Sequence, residues 1–343
     1  MKGRGATSNP PNRFVRLTYN PDPEQQPDDF RTELYRDATR SIIAYNDSPD
    51  VGFVASINPY RGCEHGCAYC FARPTHEYLG FSAGLDFETR IMVKEDAPEL
   101  LRRELRSPSY KPQPIAISGV TDAYQPVERR LQLTRRCLEV LAEARNPVGI
   151  VTKSQLVTRD IDLLCELARF NAAAVFLSIT TLDATLAAKM EPRAASPANR
   201  LAAIEALAQA GIPVGVLAAP IIPGLTDHEI VRIITEAAKA GATFAGYTIV
   251  RLPLAVGEIF EQWLEEHFPA RKQKVLNRIR SIRDGKLNNP EFGARMRGDG
   301  VFAEQIRKLF KIACRKAGIS GMPELSTASF RRPSGNQPTL FDL

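Results

Sequence analysis

Short apolar runs alternate with longer amphipathic segments through the middle of the chain. Six β-branched or aliphatic runs are predicted to be strands: Phe53–Ile57, Ile115–Ser118, Val148–Thr152, Val175–Ile179, Val214–Ala218 and Gly246–Val250. Four segments between them have helical spacing of apolar residues and are predicted to be helices: Glu128–Ala144, Asp160–Phe170, Pro197–Ala210 and Asp227–Ala240. Alternation of this kind is typical of a parallel sheet. The pattern predicts an α/β fold, a partial (β/α)6 TIM-like barrel with its site at the carboxyl ends of the strands.

The same pattern divides the chain into four parts. Residues 1–50 are polar with weak periodicity and are predicted to be a mostly irregular arm, and residues 51–255 form the α/β core. Residues 256–330 are predicted to be a basic helical extension, and residues 331–343 a flexible tail. The extension contains three helical segments rich in Arg and Lys: Ile259–Phe268, Lys272–Asp284 and Phe302–Ala317.

Charge is unevenly distributed along the chain, with a basic segment near its C-terminal end. Residues 267–335 contain 16 Lys and Arg residues against 5 Asp and Glu residues, a balance of +11. The whole chain carries +6, so the remainder sums to −5. This asymmetry indicates a polyanionic partner such as nucleic acid for the extension. An ordinary solvated helical face is the alternative interpretation.

Composition points to a cytoplasmic protein. Hydrophobic residues make up 44% and charged residues 24% of the chain, as in ordinary globular proteins. No apolar run approaches the ~20 residues needed to span a bilayer, so we expect no membrane contact. The first residues lack the apolar region of a secretory signal. A cytoplasmic location would also keep the thiols reduced.

Three cysteines lie within eight residues, in the sequence Cys63-Glu-His-Gly-Cys67-Ala-Tyr-Cys70. Three thiolates can hold three corners of a cubane 4Fe–4S cluster, and one iron then stays open to another ligand. Clusters that only transfer electrons usually have four cysteine ligands, whereas an open position is typical of catalytic metal sites. Zinc is the alternative, although it prefers paired Cys-x-x-Cys units or added histidines. Six cysteines in 343 residues are too sparse for a disulfide framework.

Polar and glycine residues follow the predicted strands at the edge where the cysteine loop lies. Residues of this kind after the second to fifth strands are Ser118, Asp122, Lys153, Ser178 and Gly224, with Ile222 beside the last. Because the carboxyl ends of parallel strands meet at one edge of the sheet, we expect these residues to surround a single site.

The cysteine spacing, with Tyr69 before the last cysteine, resembles the signature of the radical S-adenosylmethionine (SAM) superfamily. Five further motifs occur in an order that resembles the spore photoproduct lyase branch of that superfamily: Thr-Asp122, Thr-Lys153-Ser, Leu-Ser178-Ile, Glu191-Pro-Arg193 with Arg200, and Pro-Ile-Ile222-Pro-Gly224. Members of this branch are often labelled DNA repair photolyase-like. The similarity covers roughly residues 50–255, and the whole chain resembles an uncharacterised family within the branch.

This resemblance implies an enzyme that cleaves SAM reductively at a 4Fe–4S cluster held by Cys63, Cys67 and Cys70. The products would be methionine and a 5′-deoxyadenosyl radical that abstracts hydrogen from a substrate. An electron donor such as flavodoxin or ferredoxin is implied as well. The residues expected to contact the cofactor are Tyr69, Ser118, Asp122, Lys153, Ser178, Arg200, Ile222 and Gly224, with Glu191 and Arg193 as further candidates. Among them, Lys153 would neutralise the SAM carboxylate.

Three hypotheses for the function remain, and the first two differ in the substrate. A nucleic acid or nucleic-acid-linked molecule would use the basic segment 267–335. The same radical chemistry on a peptide or a small metabolite is the second hypothesis, because one fold supports many substrates. A non-enzymatic iron–sulfur or zinc protein that serves binding is the third.

The end of the chain contains a separate motif. Gln337, Leu340 and Phe341 form a sequence that resembles the Gln-x-x-Leu-Phe peptide with which bacterial repair and replication proteins bind the sliding clamp. Two adjacent apolar side chains on a flexible tail suit binding in a groove. Pro338 stands where leucine is usual in such peptides. A sliding-clamp contact is therefore a hypothesis for this tail.

The chain lacks one thiol that the resemblance would require for lesion repair. Spore photoproduct lyase uses a cysteine near the end of its second strand as hydrogen donor, and the matching residues 117–122 contain Ser118 and no cysteine. A serine O–H bond is too strong to replace the thiol. Cys137, Cys165 and Cys314 lie on predicted apolar helix faces, where a small buried side chain is expected. We predict no direct reversal of the spore photoproduct, and recovery of thymine in a repair assay would contradict this.

Overall fold

The computed structural model describes residues 3–15 and 31–333. Within these ranges ten strands form two sheets. The strands are β1 (Glu33–Arg36), β2 (Ala44–Tyr45), β3 (Ala55–Ile57), β4 (Tyr60–Arg61), β5 (Arg90–Val93), β6 (Ile115–Ile117), β7 (Val148–Thr152), β8 (Ala173–Ser178), β9 (Val214–Ile221) and β10 (Phe244–Ile249). The sliding-clamp hypothesis for Gln337, Leu340 and Phe341 lies outside the described residues, as does most of the predicted flexible tail.

The larger sheet has the order β2-β3-β6-β7-β8-β9-β10. All six strands from β3 to β10 in this order run parallel to their neighbours, and β2 pairs with β3 in the antiparallel sense at the edge. Strands that are neighbours in this order also follow one another along the chain, which is the arrangement of a barrel that has not closed. This confirms the predicted α/β fold with a partial (β/α)6 core.

Helices cover the outer face of this sheet and continue into the C-terminal part of the chain. The helices of the described residues are α1 (Asp86–Thr89), α2 (Ala97–Arg106), α3 (Glu128–Leu131), α4 (Leu133–Ala144), α5 (Ile161–Ala168), α6 (Ala184–Met190), α7 (Pro197–Gln209), α8 (Ile230–Lys239), α9 (Ala255–His267), α10 (Pro269–Ser281), α11 (Ala294–Arg297) and α12 (Gly300–Lys316). Three short 3₁₀ helices lie at Arg73–Leu79, Gln155–Asp160 and Asp227–Glu229. No helix in the described ranges has the length and apolar character needed to cross a bilayer.

The two faces of the main sheet differ in burial because alternate side chains point to opposite sides. Ile150, Leu177 and Val216 are buried in the core between the sheet and its helices. On the other face, Phe176 and Leu217 are only partly buried. The helices therefore cover one side, while the inner side is partly exposed at these two positions and buried at others, such as Ala174 and Ser178.

The helix predicted over Glu128–Ala144 is wrong in one respect, because the chain breaks between α3 and α4. Gln132 adopts a left-handed conformation with φ of 54°, which a helix interior does not accommodate. The buried Glu128 carboxylate accepts the backbone amides of Thr134 at 3.0 Å and Arg135 at 3.3 Å. These bonds satisfy donors at the start of α4 that would otherwise need a partner.

The predicted irregular arm contains two short strands and contacts the core along much of its described length. β1 pairs with β5, which also pairs with β4, in a separate three-stranded sheet. Asn12 donates to the carbonyls of Glu77 at 2.9 Å and Phe81 at 2.7 Å. Strands of two to four residues leave too little periodicity for a sequence pattern to reveal. The predicted boundaries at residues 50, 255 and 330 stay predictions.

The C-terminal extension is attached to the core by a buried arginine. Arg283 donates to the carbonyl of Val250 at 2.9 Å, just after β10, and to the carbonyls of Ala294 at 2.7 Å and Arg295 at 2.8 Å. Burial lowers the pKa of Arg283 to about 10, so the guanidinium remains charged at neutral pH. These bonds hold α10 and α11 beside the carboxyl ends of the strands.

Candidate cofactor site

The three cysteines lie on a tight loop between β4 and the 3₁₀ helix that begins at Arg73. Cys63 and Cys67 are buried and Cys70 is partly buried, and none is in a disulfide. Two turns shape the loop: the Gly66 amide donates to the Cys63 carbonyl at 3.3 Å, and the Cys70 amide donates to the Cys67 carbonyl at 3.2 Å. The three thiols are thus gathered by local hydrogen bonds within one short segment.

Two glycines allow the N-terminal arm to lie directly on this loop. Gly66 has a φ of 65°, and a Cβ there would come within 2.6 Å of the Glu88 carboxylate. At Gly5 a Cβ would lie 1.6 Å from the Gly66 carbonyl oxygen. No real side chain fits at that separation, so both positions require glycine while the arm remains in place. The arm therefore forms one wall around the cysteine loop.

A buried ion pair fixes the loop from behind. The Arg73 guanidinium donates to the Glu88 carboxylate at 2.5 Å, and both side chains are fully buried. Arg73 also donates to the Cys67 carbonyl at 2.9 Å, while Glu88 accepts the amides of Gly5 at 3.1 Å and Ala6 at 2.8 Å. Because each charge has several partners, this pair joins the arm, the cysteine loop and α1 into one unit.

The other side of the loop is bound to the segment after β6. Glu64 accepts the Val127 amide at 2.5 Å, and its own amide donates to Gln125 at 2.9 Å. Gln125 in turn donates to the Gly62 carbonyl at 3.1 Å. All of these groups are buried or nearly so, and they fix the position of the loop's first turn.

Asp122 connects the loop to the end of β7. It faces the His65 imidazole at 3.4 Å and accepts the Thr152 hydroxyl and the Lys153 amide, each at 2.7 Å. Burial alone would raise the pKa of Asp122, but His65 and these hydrogen bonds outweigh it and lower the pKa to about 2. Asp122 is therefore a fixed anion that positions backbone and side chains.

Lys153 and Ser178 meet at the carboxyl ends of β7 and β8. The Lys153 ammonium donates to the Ser178 hydroxyl at 2.9 Å, and that hydroxyl donates to the Ala219 carbonyl at 2.9 Å. The ammonium also lies 5.9 Å from the centre of the Tyr69 ring. A lysine at a strand end and an aromatic residue from the cysteine loop thus lie near each other.

Glu191 is the carboxylate around which these residues are arranged. It accepts the Tyr69 hydroxyl, the Arg200 guanidinium and, at 2.7 Å, the Thr180 hydroxyl. Burial alone would raise the pKa of Glu191. The charges of Arg200 and Lys153 outweigh burial and lower that pKa to about 2. The group therefore holds two cations and a buried carboxylate next to the cysteine loop.

The segment that begins at Glu191 runs between the cysteine loop and the strand ends. The Ala68 amide donates to the Met190 carbonyl at 3.0 Å, and the Ala195 amide donates to the Lys153 carbonyl at 3.2 Å. The Arg193 side chain lies outside the Glu191 group and pairs with Glu64 at 3.1 Å. Arg193 thus supports the loop from its outer side.

Three other predicted residues occupy different surroundings. Ile222 is fully buried in the apolar cluster that also contains Tyr69 and Cys67. Gly224 faces α10 instead, since a Cβ there would lie 3.1 Å from the Arg278 side chain. Ser118 donates to the carbonyl of Thr121 at 2.7 Å and so shapes its own loop. The structure brings Ile222 to the Tyr69 surroundings and shows no contact of Ser118 or Gly224 with the Glu191 group.

Burial governs the chemistry of the thiols. It raises the pKa of Cys63, Cys67 and Cys70, with additional contributions from neighbouring acidic groups such as Asp122 for Cys63 and Glu191 for Cys67. Such thiols ionise when a bound metal cation stabilises the thiolate. No three His, Cys, Asp or Glu side chains of the described residues converge as ligands of a single metal ion. Donors of a cubane cluster bind different irons and need not converge on one point.

Comparison with protein-family models gives the family of this chain. The family model described as the radical SAM superfamily matches residues 57–237. The match covers more than half of the chain, from the end of β3 to α8. The chain belongs to the radical SAM superfamily, and it is an enzyme of the radical SAM class. Iron–sulfur and SAM binding are implied by this family.

Individual proteins are similar to this chain in sequence or in structure. An uncharacterised protein of Mycobacterium tuberculosis strain H37Rv is 37% identical over 250 residues, which cover 71% of this chain and 72% of the relative. An uncharacterised protein of Methanocaldococcus jannaschii is 32% identical over 223 residues, 65% of this chain and 79% of the relative. A spore photoproduct lyase variant with bound AdoMet and dinucleoside spore photoproduct has a TM-score of 0.61 at 18% identity, covering 83% of this chain and 80% of that one. At this identity the likeness establishes the shared fold.

Several residues of the site were not identified from the sequence. Glu88, Gln125 and Thr180 are ordinary polar residues whose partners come from distant segments. Only Thr180 had a usable indication, because it lies two residues after Ser178. Arg73 follows Cys70 by three residues, but its burial against Glu88 depends on the folding of the arm and α1. Tertiary partners of this kind become visible only once the chain is folded.

We predict that Glu88→Gln destabilises the protein by about 3–5 kcal/mol, because it leaves the Arg73 charge buried without a counter-ion. Urea unfolding measures the change. The matched control is Glu304→Gln, which removes a carboxylate from a partly exposed pair with Arg307 and should cost less than about 1 kcal/mol. Equal losses in the two variants would show that the Arg73–Glu88 pair has no special role.

Proposed function

We propose that this enzyme binds a 4Fe–4S cluster through Cys63, Cys67 and Cys70 and cleaves SAM reductively at its open iron. When bound there, SAM would supply a 5′-deoxyadenosyl radical for hydrogen abstraction from a substrate. The observation that supports this most is the position of the cysteine loop against the Lys153, Ser178 and Glu191 group. The loop and the group occupy the same edge of the sheet, and the family implies both cofactors.

The residues of the site have distinct roles in this proposal. Lys153 would bind the carboxylate of SAM as a compact cation, with Ser178 fixing the direction of its ammonium. Glu191 would hold Tyr69 and Arg200 in place, so that the wall beside the cluster is rigid. Ile222 would add apolar surface for the adenine. Asp122 would orient His65 and the start of the segment that carries Lys153.

The substrate we propose is a nucleic acid or a nucleic-acid-linked molecule. The basic extension lies beside the carboxyl ends of the strands, held there by Arg283. A polyanion bound to the extension would therefore lie next to the open side of the barrel. The lyase of the same fold is described with a bound dinucleoside photoproduct, which supports this substrate class. A peptide or small-metabolite substrate is the alternative.

Repair of the spore photoproduct itself is not part of this proposal. All six cysteines lie in the described residues, and three of them are in the cysteine loop. Cys137 is buried in the core, while Cys165 and Cys314 pack against its edge. None of the three therefore supplies a thiol at the Ser118 position, where hydrogen return would require one.

The proposal includes a reductant and a compartment. Radical SAM enzymes need an electron donor, and we propose flavodoxin or ferredoxin for this role. A cytoplasmic location would suit a cluster with an open iron, because reduced thiols persist there. The third hypothesis, a non-enzymatic iron–sulfur or zinc protein, is set aside because the chain belongs to the radical SAM class of enzymes.

The central experiment is anaerobic reconstitution with iron and sulfide, followed by addition of SAM and dithionite. We expect 5′-deoxyadenosine from the wild type and none from Cys67→Ala, because loss of one thiolate removes a cluster ligand. Added single-stranded DNA or RNA should increase the yield if nucleic acid is the substrate. Lack of 5′-deoxyadenosine from protein with a complete cluster, with or without nucleic acid, would contradict the proposal.

We also predict that Lys153→Met weakens SAM binding about tenfold or more, because a charged hydrogen bond contributes roughly 1.5–3 kcal/mol. Equilibrium dialysis with labelled SAM measures this without turnover. Lys239→Met is the matched control, since Lys239 pairs with Glu236 on the exposed side of α8 and should leave binding unchanged. Equal SAM affinity in the two variants would remove Lys153 from the binding site.

A further inference from the structure

A cavity of about 510 Å³ lies between the C-terminal extension and the loop after β9. Residues 223–228 of this loop, which include Gly224, form one wall. The other walls are one face of α10 and one face of α12. Cavities of this size hold small ligands or single units of a polymer.

The α10 face gives the cavity a positive charge. Arg271, Lys274 and Arg278 recur at helical spacing and line it together. Arg278 is paired with Asp227 at 3.2 Å. The structure records no ion pair or side-chain hydrogen bond between Arg271 or Lys274 and any other described residue. Both are exposed, so the cavity retains two uncompensated cations.

Several other basic side chains of the extension already have partners. Lys272 pairs with Glu265 at 3.0 Å, and Arg280 pairs with Glu261 at 3.4 Å. Arg283 binds backbone carbonyls inside the protein. The positive balance of the segment therefore overstates the charge that a partner would meet, while the cavity keeps cations available for binding.

The α12 face supplies an aromatic ring and an amide. Phe302 is 42% exposed, a large fraction for an aromatic side chain, and the Arg278 guanidinium lies 5.5 Å from its ring centre. Gln305 lines the cavity next to it. An exposed ring beside free cations is the combination with which proteins bind single-stranded nucleic acids, the ring stacking on a base and the cations binding phosphates.

We propose that this cavity holds one nucleotide of a single-stranded nucleic acid, with Arg271 and Lys274 on its flanking phosphates and its base on Phe302. This inference rests on the proposed nucleic-acid substrate and names where the strand is held. The cavity loop follows β9 at the edge where Lys153 and Ser178 lie. Val275, which follows Lys274 on α10, is in the apolar cluster of Tyr69 and Cys67. A strand held here would therefore lie close to the cofactor site.

The test is fluorescence anisotropy of labelled 12-nucleotide DNA and RNA strands with the full, cluster-reconstituted chain, from low to moderate salt. Arg271→Glu with Lys274→Glu should weaken binding about tenfold or more. Affinity falls with salt, and the slope of log affinity against log salt should become shallower by about 1.4. Two phosphate contacts are lost, and each contributes about 0.7 for single strands. The control pair, Arg315→Glu with Lys316→Glu, has the same charge change on the same extension and should reduce affinity far less.

The Phe302→Ala variant measures the contribution of base stacking to strand affinity separately from that of charge. It should weaken strand binding at least about fivefold while leaving the salt slope unchanged, because a lost base contact releases no counterions. A thermal melt equal to that of the wild type shows that each variant is folded. The titration needs no turnover, so absence of SAM cleavage would defeat the proposed function without affecting this result.

Three results would overturn the inference. Equal losses in the two charge-reversed pairs would show that affinity comes from diffuse charge. An unchanged affinity in the Arg271 and Lys274 variant would place the strand elsewhere. A mononucleotide that binds the wild type when neither strand does would assign the cavity to a free nucleotide and overturn the strand assignment.

Discussion

The buried pair between Arg73 and Glu88 is the interaction on which the arrangement of the cofactor site depends. A charge removed from water is tolerated only when partners replace the lost hydration, and each member of this pair has several. Arg73 binds the backbone of the cysteine loop, and Glu88 binds the backbone of the N-terminal arm. One interaction therefore fixes the loop, its cover and the helix that carries Glu88.

A second network of buried charges with several partners lies around Glu191, next to the cysteine loop. Glu191 faces Arg200 and Lys153, whose charges outweigh burial and lower its pKa to about 2, so the carboxylate remains ionised at neutral pH. The carboxylate also holds the Tyr69 hydroxyl. The ammonium of Lys153 is directed by Ser178 toward the strand ends. A site preorganised in this way loses little entropy when an anionic ligand binds.

The parts of this molecule that could be predicted are those with local signals. Each parallel strand is a short apolar run, because its side chains are buried on at least one face, and the cysteine loop is marked by spacing alone. Lys153 and Ser178 were expected at one site because parallel strands end at the same edge, and the structure brings the two side chains together. Gly224 was expected near the cofactor by the same reasoning, and the structure shows its loop packed against α10. The direction of such a loop depends on α10 packing against it, which no local pattern encodes. The break at Gln132 was missed for a similar reason, since the Glu128 carboxylate that stabilises it competes with ordinary helix hydrogen bonds.

The most direct test of this account is electron paramagnetic resonance of the dithionite-reduced, reconstituted protein before and after addition of SAM. We expect about four irons per chain and the spectrum of a reduced 4Fe–4S cluster. Addition of SAM should shift that spectrum, because SAM binds the iron that no cysteine occupies. A cluster spectrum that SAM leaves unchanged, or protein that takes up zinc and forms no cluster, would contradict the central claim.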